Sequence, residues 1–86
     1  MGLEIIEIHL SIEEAFDIQI QEQDRVDLLT VGKLYDYIIQ KVSNSNNELR
    51  QQEIWATYIT IVSKQLNIPI EDIQIDHHFI HDLGAG

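Results

Sequence analysis

Apolar residues return at three- and four-residue intervals in three separate stretches of this chain, and that periodicity confines it to a helical fold. In the last stretch Trp55, Tyr58, Ile59, Val62 and Leu66 form the i, i+3, i+4, i+7 stripe of a helix docked on a core, predicted over Glu48–Leu66. Asn67 is the expected stop, and Pro69 bars continuation. In the middle stretch Val31, Leu34, Tyr35, Ile38 and Val42 share one side of a helix that Thr30 is placed to cap. In the first, predicted over Leu3–Phe16, Leu3, Ile6 and Leu10 recur at helical spacing and Ile5, Ile8 and Ile12 widen the apolar face. Glu4, Glu7, Ser11 and Glu14 keep the same rhythm on a narrow polar ridge, with Glu13 beside it. Between the first two helices, Phe16–Ile20 alternates as an extended segment would, and Asp24–Leu29 fits one or two helical turns. Ser43–Asn47 contains no apolar residue and has the composition of a connector. Beyond Pro69 the chain is loop-like, with Ile73, Ile75, Phe79, Ile80 and Leu83 as spaced anchors. The expected architecture is a small all-α bundle of three longer helices, one short helix and a long structured loop.

Composition narrows the function. At 86 residues the chain is one domain, 1–86, of a size that buries only about 60% of its unfolded surface. Cysteine is absent, which removes disulfides, thiolate nucleophiles and every Cys-ligated metal. A formal charge of −10 repels a phosphate backbone and an anionic bilayer, so neither nucleic acid nor membrane is an expected partner. No apolar run approaches a membrane span, and Met1-Gly2-Leu3-Glu4 is not a basic signal segment, so a cytoplasmic location is expected. Basic protein surfaces are the partners that such a charge favours.

Catalytic chemistry finds little footing. His9 and Ser11 lie two apart on one helix and face different sides, so they do not make a nucleophile–base pair. The acidic residues line a ridge, not a cleft that separates their pKa values. His77 and His81 have the i, i+4 spacing of metal ligands, with Asp76, His78 and Asp82 nearby. In a loop that spacing guarantees nothing, and no metal site is expected. The four histidines, His9 included, read as a titrating surface set whose protonation would take the charge from −10 to −6.

Two stretches resemble acyl carrier proteins, in exchanged order. Leu3–Phe16, Ile18-Gln19-Ile20 and Leu29–Ile38 are similar to the second half of that family, covering residues 3–42. Ile54-Trp55 through Leu66, followed by Ile73 and the run Asp76-x-x-Phe79-x-x-Asp82-Leu83-Gly84-Ala85, is similar to the first half, covering 48–85. The resemblance implies a circularly permuted carrier domain, opened at the motif of the attachment serine, with 43–47 joining the old termini. In the family that serine carries acyl thioesters on a 4'-phosphopantetheine arm for fatty-acid or polyketide synthesis. Here it would fall between Gly86 and Leu3, flanked by Asp82, Leu83, Gly84, Ala85 and Leu3, and no serine stands there. The resemblance further implies that Glu4, Glu7, Leu10, Glu13 and Glu14 meet basic patches on synthases and transferases. It also implies that Ile6, Ile8, Ile12, Ile20 and Leu28 line the acyl cavity. For Leu10 the residues alone leave core and surface contact equally open. The expectation is a non-enzymatic carrier scaffold without a cofactor of its own, monomeric or exchanged between two chains as a swapped dimer. The alternative is an acidic interaction domain that keeps the carrier fold and is never primed.

Overall fold

Ile5, Ile8, Ile12 and Phe16 fall on one side of the first helix, and all four are buried. That face packs most extensively on the third helix, and together they set the axis of the fold. The computed structural model describes residues 3–44 and 50–84. Its order is α1 (Leu3–Phe16), a 3-10 helix (Glu22–Asp27), α2 (Val31–Asn44), α3 (Gln51–Leu66) and a 3-10 turn (Ile70–Asp72). Among the described residues there is no strand, only an isolated antiparallel bridge between Thr30 and His78. The all-α expectation holds. Val31, Leu34, Ile38 and Val42 of α2 and Ile54, Tyr58, Ile59 and Val62 of α3 join the α1 residues, Ile20, Leu28, Ile73 and Phe79 in one apolar core.

Helices α1 and α3 end by the same device. Asp17 and Asn67 both adopt left-handed backbone, with φ of 54° and 55°. Each is followed by an isoleucine whose N–H reaches back five residues, Ile18 to Glu13 O at 3.2 Å and Ile68 to Ser63 O at 3.1 Å. This satisfies carbonyls that the helix leaves open, and Asn and Asp tolerate the conformation better than most side chains.

Three boundaries differ from the sequence reading. Helix α2 runs through Ser43 and Asn44, two residues into the expected connector, since neither residue breaks a helix that is already propagating. The remaining connector positions, 45–47, lie outside the described residues. Helix α3 begins at Gln51, not Glu48, because Arg50 is extended (φ −79°, ψ 156°) and only its carbonyl opens the helix, accepting the Ile54 N–H at 3.0 Å. Glu48 and Leu49 lie outside the described residues. Ile75, expected as an anchor, is 56% exposed. The main chain holds that point instead: Ile75 O accepts the Gly32 N–H at 2.8 Å.

That bond belongs to a set fixing the loop after Pro69 onto the start of α2. The first amides of a helix have no internal partner. Here Val31 N–H donates to His77 O at 3.0 Å and Gly32 N–H to Ile75 O. Lys33 N–H donates to the Thr30 hydroxyl at 3.2 Å, the cap expected from sequence. In return Phe79 N–H donates to Leu29 O at 2.8 Å, with its ring fully buried. The Tyr58 hydroxyl donates to Val31 O at 2.8 Å, binding α3 to the same point. Gly32 has a packing reason to be glycine: a Cβ there would sit 3.0 Å from Ile75 O and 3.1 Å from Ile75 Cγ1.

Candidate functional site

The outward face of α1 is the feature that the core does not explain. Burying Ile5, Ile8, Ile12 and Phe16 rotates Glu4, Glu7, Leu10 and Glu14 into solvent. Leu10 is 54% exposed, so the question that the residues left open is answered toward the surface. An aliphatic side chain flanked by carboxylates on a rigid helix combines charge steering with an apolar contact.

Glu13 has a different situation. It is half-buried, its Oε2 accepts the Ile20 N–H at 2.8 Å, and its Oε1 lies 3.8 Å from the Arg25 guanidinium. The carboxylate staples the chain leaving α1 to its own helix and to the 3-10 helix beyond. Its oxygens are already engaged within the fold, unlike those of its exposed neighbours.

His9 corrects the sequence reading outright. It is 2% exposed, and neither ring nitrogen has a hydrogen-bond partner among the described residues. Its pKa is lowered from 6.5 to about 4, first by burial and then by nearby Arg25, with Glu13 opposing them. It is therefore not part of a surface set that charges near neutrality. The signal was present in the sequence: positions 5, 8, 9, 12 and 16 make one helical face, and His9 sits in the middle of it.

Of the residues assigned to an acyl cavity, Ile8, Ile12, Ile20 and Leu28 are buried in the common core and Ile6 packs half-buried against it. A groove of about 440 Å³ lies beside them, lined by Asp24, Asp27, Leu28, Tyr37, Gln40, Lys41 and Asn44. Leu28 is the one member of the five that reaches it. Within this region Tyr37 joins two elements, donating to Asp24 Oδ2 at 2.9 Å and accepting the Gln21 N–H at 3.2 Å.

The other end of the candidate site is the turn through Asp82, Leu83 and Gly84. His78 N–H donates to Asp82 Oδ2 at 2.7 Å, and His78 O accepts the Asp82 and Leu83 N–H groups at 2.9 and 3.1 Å. Gly84 follows at φ 71°, where a side chain would be strained. Ala85 and Gly86 lie outside the described residues, as does the side chain of Leu3. No group of three or more His, Asp or Glu side chains among the described residues is placed to hold a metal ion. None of the described helices is long and apolar enough to cross a membrane.

Fold and face together define a small helical bundle with an exposed acidic face on α1. Over 40 residues the chain is 49% identical to an acyl carrier protein of Buchnera aphidicola subsp. Schizaphis graminum, covering 46% of this chain and 51% of that protein. Over 37 residues it is 36% identical to an acyl carrier protein of Syntrophobacter fumaroxidans, covering 43% of this chain and 46% of the other. The chain thus spans about half the length of the curated relatives it matches, and over that stretch it is similar to acyl carrier proteins. No family model and no solved structure matches the chain.

Proposed function

We propose that this chain is a carrier domain in permuted order that docks through the outward face of α1 onto basic surfaces of acyl-processing enzymes. The observation that carries this reading is the exposure of Glu4, Glu7, Leu10 and Glu14 on a helix whose opposite face is the core. Glu13 supports that face as a structural staple. The permuted order is supported by the extent of the matches. A comparison that reads two chains in the same direction aligns only one half when the halves are exchanged, and both matches stop near half length.

The residues present do not fit the phosphopantetheine arm. Ser11 is half-buried and accepts from Gln65 Nε2 at 3.3 Å, and Ser63 donates to Ile68 O at 2.6 Å. Ser43 closes the last turn of α2, and Ser45 is outside the described residues. None of these serines lies in the Asp82-Leu83-Gly84 turn, so the described residues offer that turn no hydroxyl to load. The chain acts as a docking scaffold that competes for the partner without delivering cargo. The alternative, a native interaction domain that is never primed, uses the same face. Incubation with a phosphopantetheinyl transferase and coenzyme A, read by intact mass, tests the absence of loading. No mass gain is expected, and a gain of one arm would overturn it. A binding titration against a ketoacyl synthase tests the docking face, with Glu7→Lys expected to weaken the complex and unchanged affinity refuting it.

A further inference from the structure

We propose that His78 is a proton-operated latch on the turn 78–83. Its Nδ1 accepts two backbone amides at once, from Ile80 at 3.1 Å and His81 at 3.2 Å. Its own N–H is held by Asp82 Oδ2 at 2.7 Å, and its carbonyl takes the Asp82 and Leu83 amides. His78 thus gathers the hydrogen bonds that the Ile80, His81, Asp82 and Leu83 amides make in the turn leading to Gly84.

This arrangement requires a lone pair on Nδ1, so the ring is neutral with its proton on Nε2. That tautomer also argues against a metal at Nε2, where the proton sits. Protonation turns Nδ1 from acceptor to donor. The Ile80 and His81 amides lose their partner together, and the imidazolium becomes a competitor for the Asp82 carboxylate that caps its own backbone. The turn then opens from Ile80 to Leu83, while Phe79 stays anchored by its buried ring and its bond to Leu29 O.

The charged surroundings are sparse. On its own loop His78 meets His81, with ring centroids 4.3 Å apart, then Asp82, His77 and Asp76. His77 Nδ1 is itself occupied by the Gln74 N–H at 3.1 Å. The segment bridged to His78, Leu28 to Gly32, has no titratable side chain, and Asp27 and Lys33 stand at its ends. Helix α3 contributes Tyr58, whose hydroxyl is committed to Val31 O. Among the described residues Asp82 is the carboxylate bonded to the latch.

Two NMR measurements on the full chain test the latch. Imidazole nitrogen shifts should show His78 as the Nε2–H tautomer near neutrality. Amide exchange at Ile80 and His81, corrected for intrinsic rates, should lose about tenfold protection between about pH 7.5 and about pH 5.5. Val62 in the core should keep its protection. His78→Asn places an oxygen where Nδ1 stands and does not titrate, so it should retain protection at both pH values. His78→Ala should lack it at both. An Nδ1–H tautomer near neutrality, equal wild-type protection at the two pH values, or the wild-type pH dependence persisting in His78→Asn would each overturn the proposal.

Discussion

Replacing His9 with leucine should stabilise the protein. The ring is buried with both nitrogens unpartnered, and an orphaned buried polar group costs about 1–3 kcal/mol. Leucine is of similar volume and makes no polar demand, so a gain of about 1–2 kcal/mol at pH 7 is expected. The pH dependence is the sharper test. In the folded protein His9 titrates at about 4, below the ordinary 6.5. As the pH falls through 6.5 the unfolded chain takes up a proton that the folded chain refuses, which favours unfolding. The contribution is therefore present in full above about 6.5, is lost progressively between 6.5 and about 4, and changes no further below both values. At about 1.4 kcal/mol per pKa unit, and allowing for partial solvent screening, the loss amounts to roughly 2–3 kcal/mol. Urea unfolding followed by Trp55 fluorescence reads it out, since that half-buried indole packs edge-on against Tyr35 and Tyr58 at 4.9 and 5.9 Å. The wild-type and His9→Leu stabilities should diverge on acidification by that amount. His9→Asn separates the two effects, because it keeps a buried polar group without a titration. Parallel curves for wild type and His9→Leu, with the variant less stable at pH 7, would refute both the burial and the missing partners.

The remaining predictions concern the contacts that frame the site. Glu13→Gln should cost about 1–2 kcal/mol in urea unfolding by removing the charge-assisted bond to the Ile20 amide and the charge facing Arg25. Glu14→Gln, on the exposed face, should stay within about 0.5 kcal/mol of wild type. Tyr58→Phe should lose about 1–2 kcal/mol, because Val31 O is left without its buried donor; equal stability would show that another group replaces it. Gly32→Ala gains helix propensity but pushes on Ile75 O, and a net loss of about 1 kcal/mol with faster exchange of the residue-32 amide is expected. Binding to a basic partner should weaken with added salt, and Glu4→Gln and Glu7→Gln should each flatten that dependence.

What the sequence discloses and what it conceals follow one physical division. Helix faces are written in a 3.6-residue period, so α1, α2 and the stripe of α3 are legible residue by residue, as are Thr30 as a cap and Asn67 as a stop. The same period exposes Glu4, Glu7 and Glu14 and shows where an acidic face must lie. Side-chain polarity misleads where packing overrides it. His9 looked like a surface group by its chemistry although its position lies on the buried face, and Glu13 looked like its neighbours although it turns inward to the Ile20 amide. The loop after Pro69 is least legible, because its order comes from main-chain groups that a sequence does not distinguish. Ile75 matters there through its carbonyl and not its side chain, and His77 through a carbonyl to Val31 and a ring nitrogen to Gln74. The consequence for function is specific. The acidic face proposed for docking depends on the side chains that α1 turns outward. The turn leading to Gly84 depends on hydrogen bonds gathered at Thr30, Val31, Gly32 and His78. Substitutions on α1 should therefore alter partner affinity without moving that turn. Substitutions at Gly32 or His78 should loosen the turn and leave the acidic face intact, so the two halves of the site are separable by mutation.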